Sequence, residues 1–267
     1  MQGPWRLVID PDLAGEENMA RDAALLRALE ESGQPGSVLR FYRWREPTLS
    51  LGNKQRAHLA ADLEFCRRHG VRVVRRPTGG GAVLHHLELT YSVVSNDRHF
   101  FPANSILETY LLVSRALCRG LALIGLIARI VERGPQGKVR PDNYIRKPVP
   151  CFSSASHFEL VVGERKLIGS AQKRLKQTFL QHGSIPCQYD WPLQSGSMKT
   201  PAEELRPLMT CIGDHVSPVP AMEELAAAFS RGFREVFRLH GEWDAAGLTG
   251  AELELARQLR KEFTLDQ

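Results

Sequence analysis

The segment Arg75-Arg76-Pro77-Thr78-Gly79-Gly80-Gly81-Ala82-Val83-Leu84-His85 constrains this chain more than any other. Val71 to Val74 ahead of it alternate and branch like a strand, and Ala82 to Leu84 and Leu89 to Val94 behind it read as two more. Three glycines in a row allow backbone conformations and close approaches that a Cβ forbids. Their successive N–H groups form a concavity suited to anionic or carbonyl oxygens. The loop is not a phosphate-binding P-loop, which needs a lysine and a hydroxyl at the start of a helix. A tight hairpin that touches no ligand is the competing reading.

The remaining pattern is that of an α+β protein. Strands are predicted at Trp5 to Ile9, Val38 to Trp44, Thr48 to Leu51, Ala128 to Val131 and Phe179 to Ile185. Phe158 to Val162 and Lys166 to Ala171 form a hairpin through the Gly163-Glu164 turn. Helices are expected over Glu17 to Glu30, Asp62 to His69 and Ser105 to Leu123. The first carries Met19, Asp22, Ala23, Leu26 and Leu29 near one face. Two more helices follow a Pro-, Ser- and Lys-rich change of composition near Trp191. Helices around a mixed, largely antiparallel sheet follow. Residues 1–190 are expected to form a core and 191–267 a helical extension packed on it.

The 267 residues contain no run of about eighteen apolar residues, and the N-terminus lacks the basic-then-apolar pattern of a secretory signal. The five cysteines form no C-x-x-C pair, which argues against a disulfide framework or a zinc site and for a reducing, cytoplasmic compartment. A net charge of +5 suits an acidic partner. The basic residues form no block and no nucleic-acid motif, so neither nucleic acid nor membrane is expected as a partner. His85, His86 and Glu88 suggest metal ligands, but successive strand residues face opposite ways and no third ligand cluster accompanies them. No metal is expected, and His85 is read as bracing the glycine loop or lining a pocket. His182 is either a residue that orients an incoming amine or a strand histidine with satisfied hydrogen bonds.

Four segments together resemble the lipoate–protein ligase and octanoyltransferase superfamily. They are the glycine loop, Trp44 with Pro47 to Gly52, the hairpin Gly163 to Gln172, and Leu180 to Ile185. Asn18-Met19-Ala20 matches the early helix, so the resemblance spans roughly residues 5 to 190. It implies the biotin/lipoate ligase catalytic fold, with Lys166 as the superfamily's lysine. It also implies a substrate site made of Arg76, Thr78, Gly79, Gly80, Gly81, Ala82, Val83, His85, Gly169, Ser170, Ala171 and His182. Pro150-Cys151-Phe152, with Ser156, Phe158 and Glu159, resembles the nucleophile loop of stand-alone octanoyltransferases.

That branch implies a transfer without ATP. Cys151 would take octanoyl from acyl carrier protein as a thioester and pass it to a lysine of a lipoyl domain or glycine cleavage H protein. An unperturbed thiol with a pKa near 8.5 is only a few per cent thiolate at neutral pH, and a cation such as Lys166 raises that fraction. The plain alternatives are a small buried cysteine and an exposed, inert lysine opening a strand. Three other functions fit the same motifs: an ATP- and magnesium-dependent lipoate–protein ligase, an octanoyl amidotransferase between carrier domains, and a non-catalytic binding module. Cys66 and Cys118 read as packing residues, and Cys187 and Cys211 carry no motif.

Overall fold

The computed structural model describes residues 3–101, 105–132, 158–240, 243 and 246–265. Ten strands fall in two sheets among these residues. The larger is built from β1 (Trp5–Leu13), β2 (Ser37–Trp44), β6 (Glu88–Ser95), β7 (Arg129–Glu132), β8 (Phe158–Val162), β9 (Arg165–Arg174) and β10 (Phe179–Pro186), in the order β1-β2-β6-β10-β9-β8-β7. The β1–β2 pair is parallel, and the other neighbours are antiparallel. The smaller sheet holds β3 (Thr48–Leu51), β4 (Arg72–Arg75) and β5 (Val83–His85) in the order β4-β3-β5.

Side-chain alternation sends the two faces of the large sheet to different helices. Leu39, Phe41, Tyr91, Val93 and Phe179 pack under α4 (Ile106–Leu123) and α7 (Met222–Phe237). Their neighbours Val38, Val94 and Leu180 meet Leu25 and Leu26 of α1 (Gly15–Ser32) on the other face. α8 (Gly250–Leu259) lies over α1 through Ala256 and Leu259. The result is the predicted α+β layering, with one sheet between helices. Ser105 starts α4 by accepting from the Glu108 N–H, the usual role of a serine N-cap. No helix among the described residues is long and apolar enough to cross a membrane.

The small sheet has its own helices, α2 (Ala57–Ala60), α3 (Leu63–Arg68), α5 (Trp191–Met198) and α6 (Ala202–Leu205). Met198, Leu205 and Met209 pack with Leu49, Val73 and Leu84. The sequence does not predict α5 or α6, because α5 is short and interrupted by Pro192, Ser195, Gly196 and Ser197, and α6 is a single four-residue turn. Asp190 starts α5 by accepting from the Leu193 N–H.

Candidate functional site

The site lies between the two sheets. On the α1 face of the large sheet, register aligns Arg40, Ser92, His182 and Ala171 in one row, and Tyr42, Thr90, Ser184 and Gly169 in the next. In the next row along the same face Val38, Val94 and Leu180 pack against α1, so the polar rows mark where α1 stops sealing the sheet and the small sheet takes over. The pocket between them has about 400 Å³ of empty space, part of it open to solvent. Its walls come from Met19 of α1, from Tyr42, Thr90, Gly169, Ser170, Ala171, His182, Gly183 and Ser184, and from Ser50, Arg76, Val83 and His85 of the small-sheet side.

Two buried networks organise these walls. In the first, Asp22 is fully buried on α1 and accepts from Arg40 at 2.8 Å, Ser92 at 2.8 Å and Tyr42 at 3.0 Å. His182 Nδ1 lies 3.0 Å from the same carboxylate, and its Nε2 lies 2.7 Å from Thr78 Oγ1. Burial alone would raise the Asp22 carboxyl, but Arg40, His182 and Ser92 outweigh it and hold its pKa below the usual value. Burial also holds the His182 pKa down, assisted by Arg76 and His85 and only partly opposed by Asp22. In the second network, His85 Nε2 is 2.7 Å from Ser50 Oγ and Nδ1 is 2.7 Å from Glu88 Oε1. Glu88 also accepts from Thr90 and Ser184, and the Trp44 ring stacks on His85 with centroids 4.1 Å apart.

The glycine loop is not a hairpin. β4 and β5 flank β3 on opposite sides, so Pro77 to Ala82 cross over the end of β3. Arg76, only 4% exposed, sits beneath the crossing. Its Nε donates to Thr78 Oγ1 at 3.2 Å, and its Nη2 donates to the carbonyls of Gly79 at 2.6 Å and Gly81 at 2.7 Å. Because C=O and the next N–H point oppositely across a trans peptide, the N–H groups of Gly80 and Ala82 are directed away from this guanidinium. Gly80, at the exposed tip, has φ 95°, a conformation that favours glycine. A Cβ on Gly52 would stand 2.2 Å from the Gly80 carbonyl oxygen, so β3 and the loop meet backbone to backbone.

Of the sequence-derived substrate residues, Arg76, Val83, His85, Gly169, Ser170, Ala171 and His182 line the pocket. Thr78 and Ala82 are buried behind that wall, and Gly79, Gly80 and Gly81 form the crossing above it. Cys151, with Pro150, Phe152 and Ser156, lies outside the described residues. Lys166 is not the exposed strand lysine that its position after a turn suggests. It is 2% exposed, and its Nζ is 2.7 Å from Glu159 Oε1. Its burial arises because Leu208 to Thr210 run beside β9 at that point. The Lys166 N–H donates to the Leu208 carbonyl, and the Thr210 N–H to the Lys166 carbonyl.

Sequence reasoning missed Asp22, Arg40, Tyr42, Ser50 and Glu88 as site residues. One signal was available: Asp22 falls on the otherwise apolar face of α1, where an uncompensated carboxylate would be costly.

The chain belongs to the lipoyl protein ligase A/B catalytic-domain family, whose sequence model matches residues 14–234. Within it, the chain is 39% identical over 267 residues to octanoyltransferase LipM of Carboxydothermus hydrogenoformans, covering 97% of this chain and 95% of that protein. It is also 39% identical over 245 residues to octanoyltransferase LipM of Symbiobacterium thermophilum, covering 86% of this chain and 87% of that protein. Among solved structures, lipoate-protein ligase A bound with ATP superposes with a TM-score of 0.77 at 26% identity, covering 98% of this chain and 95% of the other. A bipartite lipoate protein ligase of Thermoplasma acidophilum, studied with its E2 lipoyl domain, gives 0.75 at 27% identity, covering 98% and 93%.

Proposed function

We propose that the protein is an octanoyltransferase of lipoate biosynthesis. It moves octanoyl from acyl carrier protein to a lysine of a lipoyl domain or of glycine cleavage H protein, in the cytoplasm and without ATP. The observation that carries this reading is the chemistry of the pocket wall. It is built from polar residues, yet the polar atoms of His85, His182, Ser50, Thr90 and Ser184 bond to one another and to buried carboxylates. What they leave toward the pocket is carbon, which suits an alkyl chain. Burying an octanoyl tail at ~0.8 kcal/mol per methylene contributes roughly 5 kcal/mol, enough to position a thioester without a nucleotide. The names of the 39%-identical relatives support the same reading.

In the reaction, the Cys151 thiolate attacks the octanoyl thioester carbonyl and the phosphopantetheine sulfur leaves as a thiolate, which takes a proton from solvent. The carrier-domain lysine amine then attacks the acyl-Cys151 carbonyl, forming an amide and releasing the Cys151 thiol. Lys166 and the backbone N–H groups of the glycine loop stabilise the negative charge that develops on the carbonyl oxygen in both steps. The Lys166 ammonium donates a hydrogen bond to Glu159 Oε1. A further support for Cys151 is the state of the described cysteines. Burial raises the thiol pKa of Cys66 and Cys211, that of Cys118 to about 11 and that of Cys187 to about 12. None of the four is a good nucleophile at neutral pH.

A second reading, an ATP- and magnesium-dependent lipoate–protein ligase, draws on the fold shared with the ATP-bound ligase structure. Intact mass separates the two. Incubation with octanoyl-acyl carrier protein alone is expected to add one octanoyl group, removable by hydroxylamine and absent from Cys151→Ala. Modification of a lipoyl domain by Cys151→Ala with ATP and free lipoate would establish the ligase instead.

A further inference from the structure

The glycine loop is anchored from a helix on the far side of the pocket, and the direction of every hydrogen bond in the connection follows from the groups present. Asp22 has room for about four donors. Arg40 and Ser92 occupy Oδ1, and Tyr42 and His182 occupy Oδ2. An ionised carboxylate only accepts, so His182 Nδ1 carries the proton. In the neutral ring Nε2 is then an acceptor, and the Thr78 hydroxyl at 2.7 Å must donate to it. That leaves the lone pairs of Thr78 Oγ1 for Arg76 Nε at 3.2 Å. Arg76 in turn holds the carbonyls of Gly79 and Gly81, and its Nη1 reaches the Ser50 carbonyl at 2.9 Å. The chain joins α1, β10 and β3 to the crossing loop. Its members Asp22, His182, Thr78 and Arg76 are all 5% exposed or less.

We propose that Thr78 is a positioning residue: its hydroxyl, oriented by Asp22 through His182, sets Arg76 so that the glycine loop keeps the backbone conformation used in acyl transfer. Thr78 does not line the pocket and acts through Arg76. Asp22 fixes the tautomer, and a wrong tautomer would turn Nε2 into a donor and reverse the chain at Thr78. The same dependence of a histidine's orientation on a buried carboxylate is known from serine-protease triads. This inference rests on the acyl-transfer reading for its kinetic consequence, but the clamp itself is a structural property that can be measured separately.

Four measurements test it. First, 15N-histidine spectra of the wild-type protein at neutral pH are expected to show His182 neutral and protonated at Nδ1. A proton on Nε2, or a charged ring, overturns the proposal. Second, Thr78→Val, which keeps the shape and removes the hydroxyl, is expected to lower kcat for octanoyl transfer at least tenfold. KM for octanoyl-acyl carrier protein should change less than threefold, and Thr78→Ser should restore kcat to within threefold. An unchanged kcat, a raised KM alone, or no rescue by serine overturns it. Third, Asp22→Asn is expected to shift the His182 proton to Nε2 and slow transfer. The double variant with Thr78→Val should be no slower than the slower single variant, whereas multiplied effects would mean independent roles. Should Thr78→Val fail to fold, the tautomer and the Asp22→Asn kinetics still decide. Hydrogen exchange at residues 79–82 reads the clamp without activity: faster exchange in Thr78→Val than in Thr78→Ser supports it, and equal exchange overturns it. Failure of wild-type transfer with the exchange result intact would sink the acyl-transfer reading and leave the clamp standing.

Discussion

Lys166 Nζ lies 2.7 Å from Glu159 Oε1, and both side chains are 2% exposed. A lysine read from the sequence as opening a strand after a turn is therefore half of a buried ion pair. Removing one partner of such a pair leaves the other charge buried, at a cost of about 3–5 kcal/mol. Lys166→Met is accordingly expected to lower the melting temperature markedly, contrary to what an exposed lysine would give. Lys166→Met combined with Glu159→Gln should recover much of that stability. Transfer should stay depressed by on the order of a hundredfold, the effect of losing one donor to the developing oxyanion. Recovery of both stability and turnover in the double variant would assign Lys166 a structural role only.

His182 makes stability depend on pH in a defined direction. Its folded-state pKa is depressed below 6.5 by burial. Between the folded value and 6.5 the unfolded chain binds the extra proton, so stability increases with pH across that window. Acidification from pH 7 is expected to lower the melting temperature from about pH 6.5 downward. His182→Gln should show a shallower slope there, whatever its absolute stability. An identical slope in the variant would mean that other groups carry the effect.

Asp22 adds a second acid-labile contribution below that window. Burial works to raise its pKa, but Arg40, His182 and Ser92 hold it below the usual aspartate value of 3.8. The stability it confers is present above 3.8 and is lost as pH falls through the depressed folded value. Acid unfolding followed by tryptophan fluorescence should therefore begin at higher pH in Ser92→Ala, which removes one donor to the carboxylate.

The glycine loop offers two substitutions with separate outcomes. At Gly80 φ is 95°, so alanine there is strained and should cost on the order of 1–2 kcal/mol through the backbone alone. At Gly79 an added Cβ would meet nothing nearer than Asn53 Oδ1 at 3.9 Å. Gly79→Ala should thus keep nearly wild-type stability and isolate the approach of substrate to the backbone. Acylation of Cys151 is expected to fall sharply in this variant, and wild-type acylation rates would remove the loop from direct contact with the thioester.

Alkylation distinguishes the cysteines. With the thiols of Cys118 and Cys187 raised to about 11 and about 12, and those of Cys66 and Cys211 also raised, iodoacetamide at pH 7 is expected to modify Cys151 well before the others. Peptide mapping after brief exposure checks this. Uniform slow labelling of all five would argue against a thiolate at Cys151.

Much of this molecule was legible without coordinates, because its signals are local. Period-two alternation located the strands, and the 3.6-residue period located α1, α4 and α7 and put Asp22 on an apolar helix face without marking it as a site residue. The glycine loop's need for unusual backbone conformations is likewise a property of three adjacent residues, realised at Gly80. What tertiary structure alone decided is which of these pieces meet. The β4-β3-β5 order turned an apparent hairpin into a crossing over β3, and strand register laid Arg40, Ser92 and His182 side by side beneath Asp22. A passing segment at Leu208 to Thr210 buried Lys166. Pairing order and register depend on contacts between residues far apart in the chain, whose partners no local period names. The polar network that shapes the pocket became visible only when three strands and a helix stood in their places.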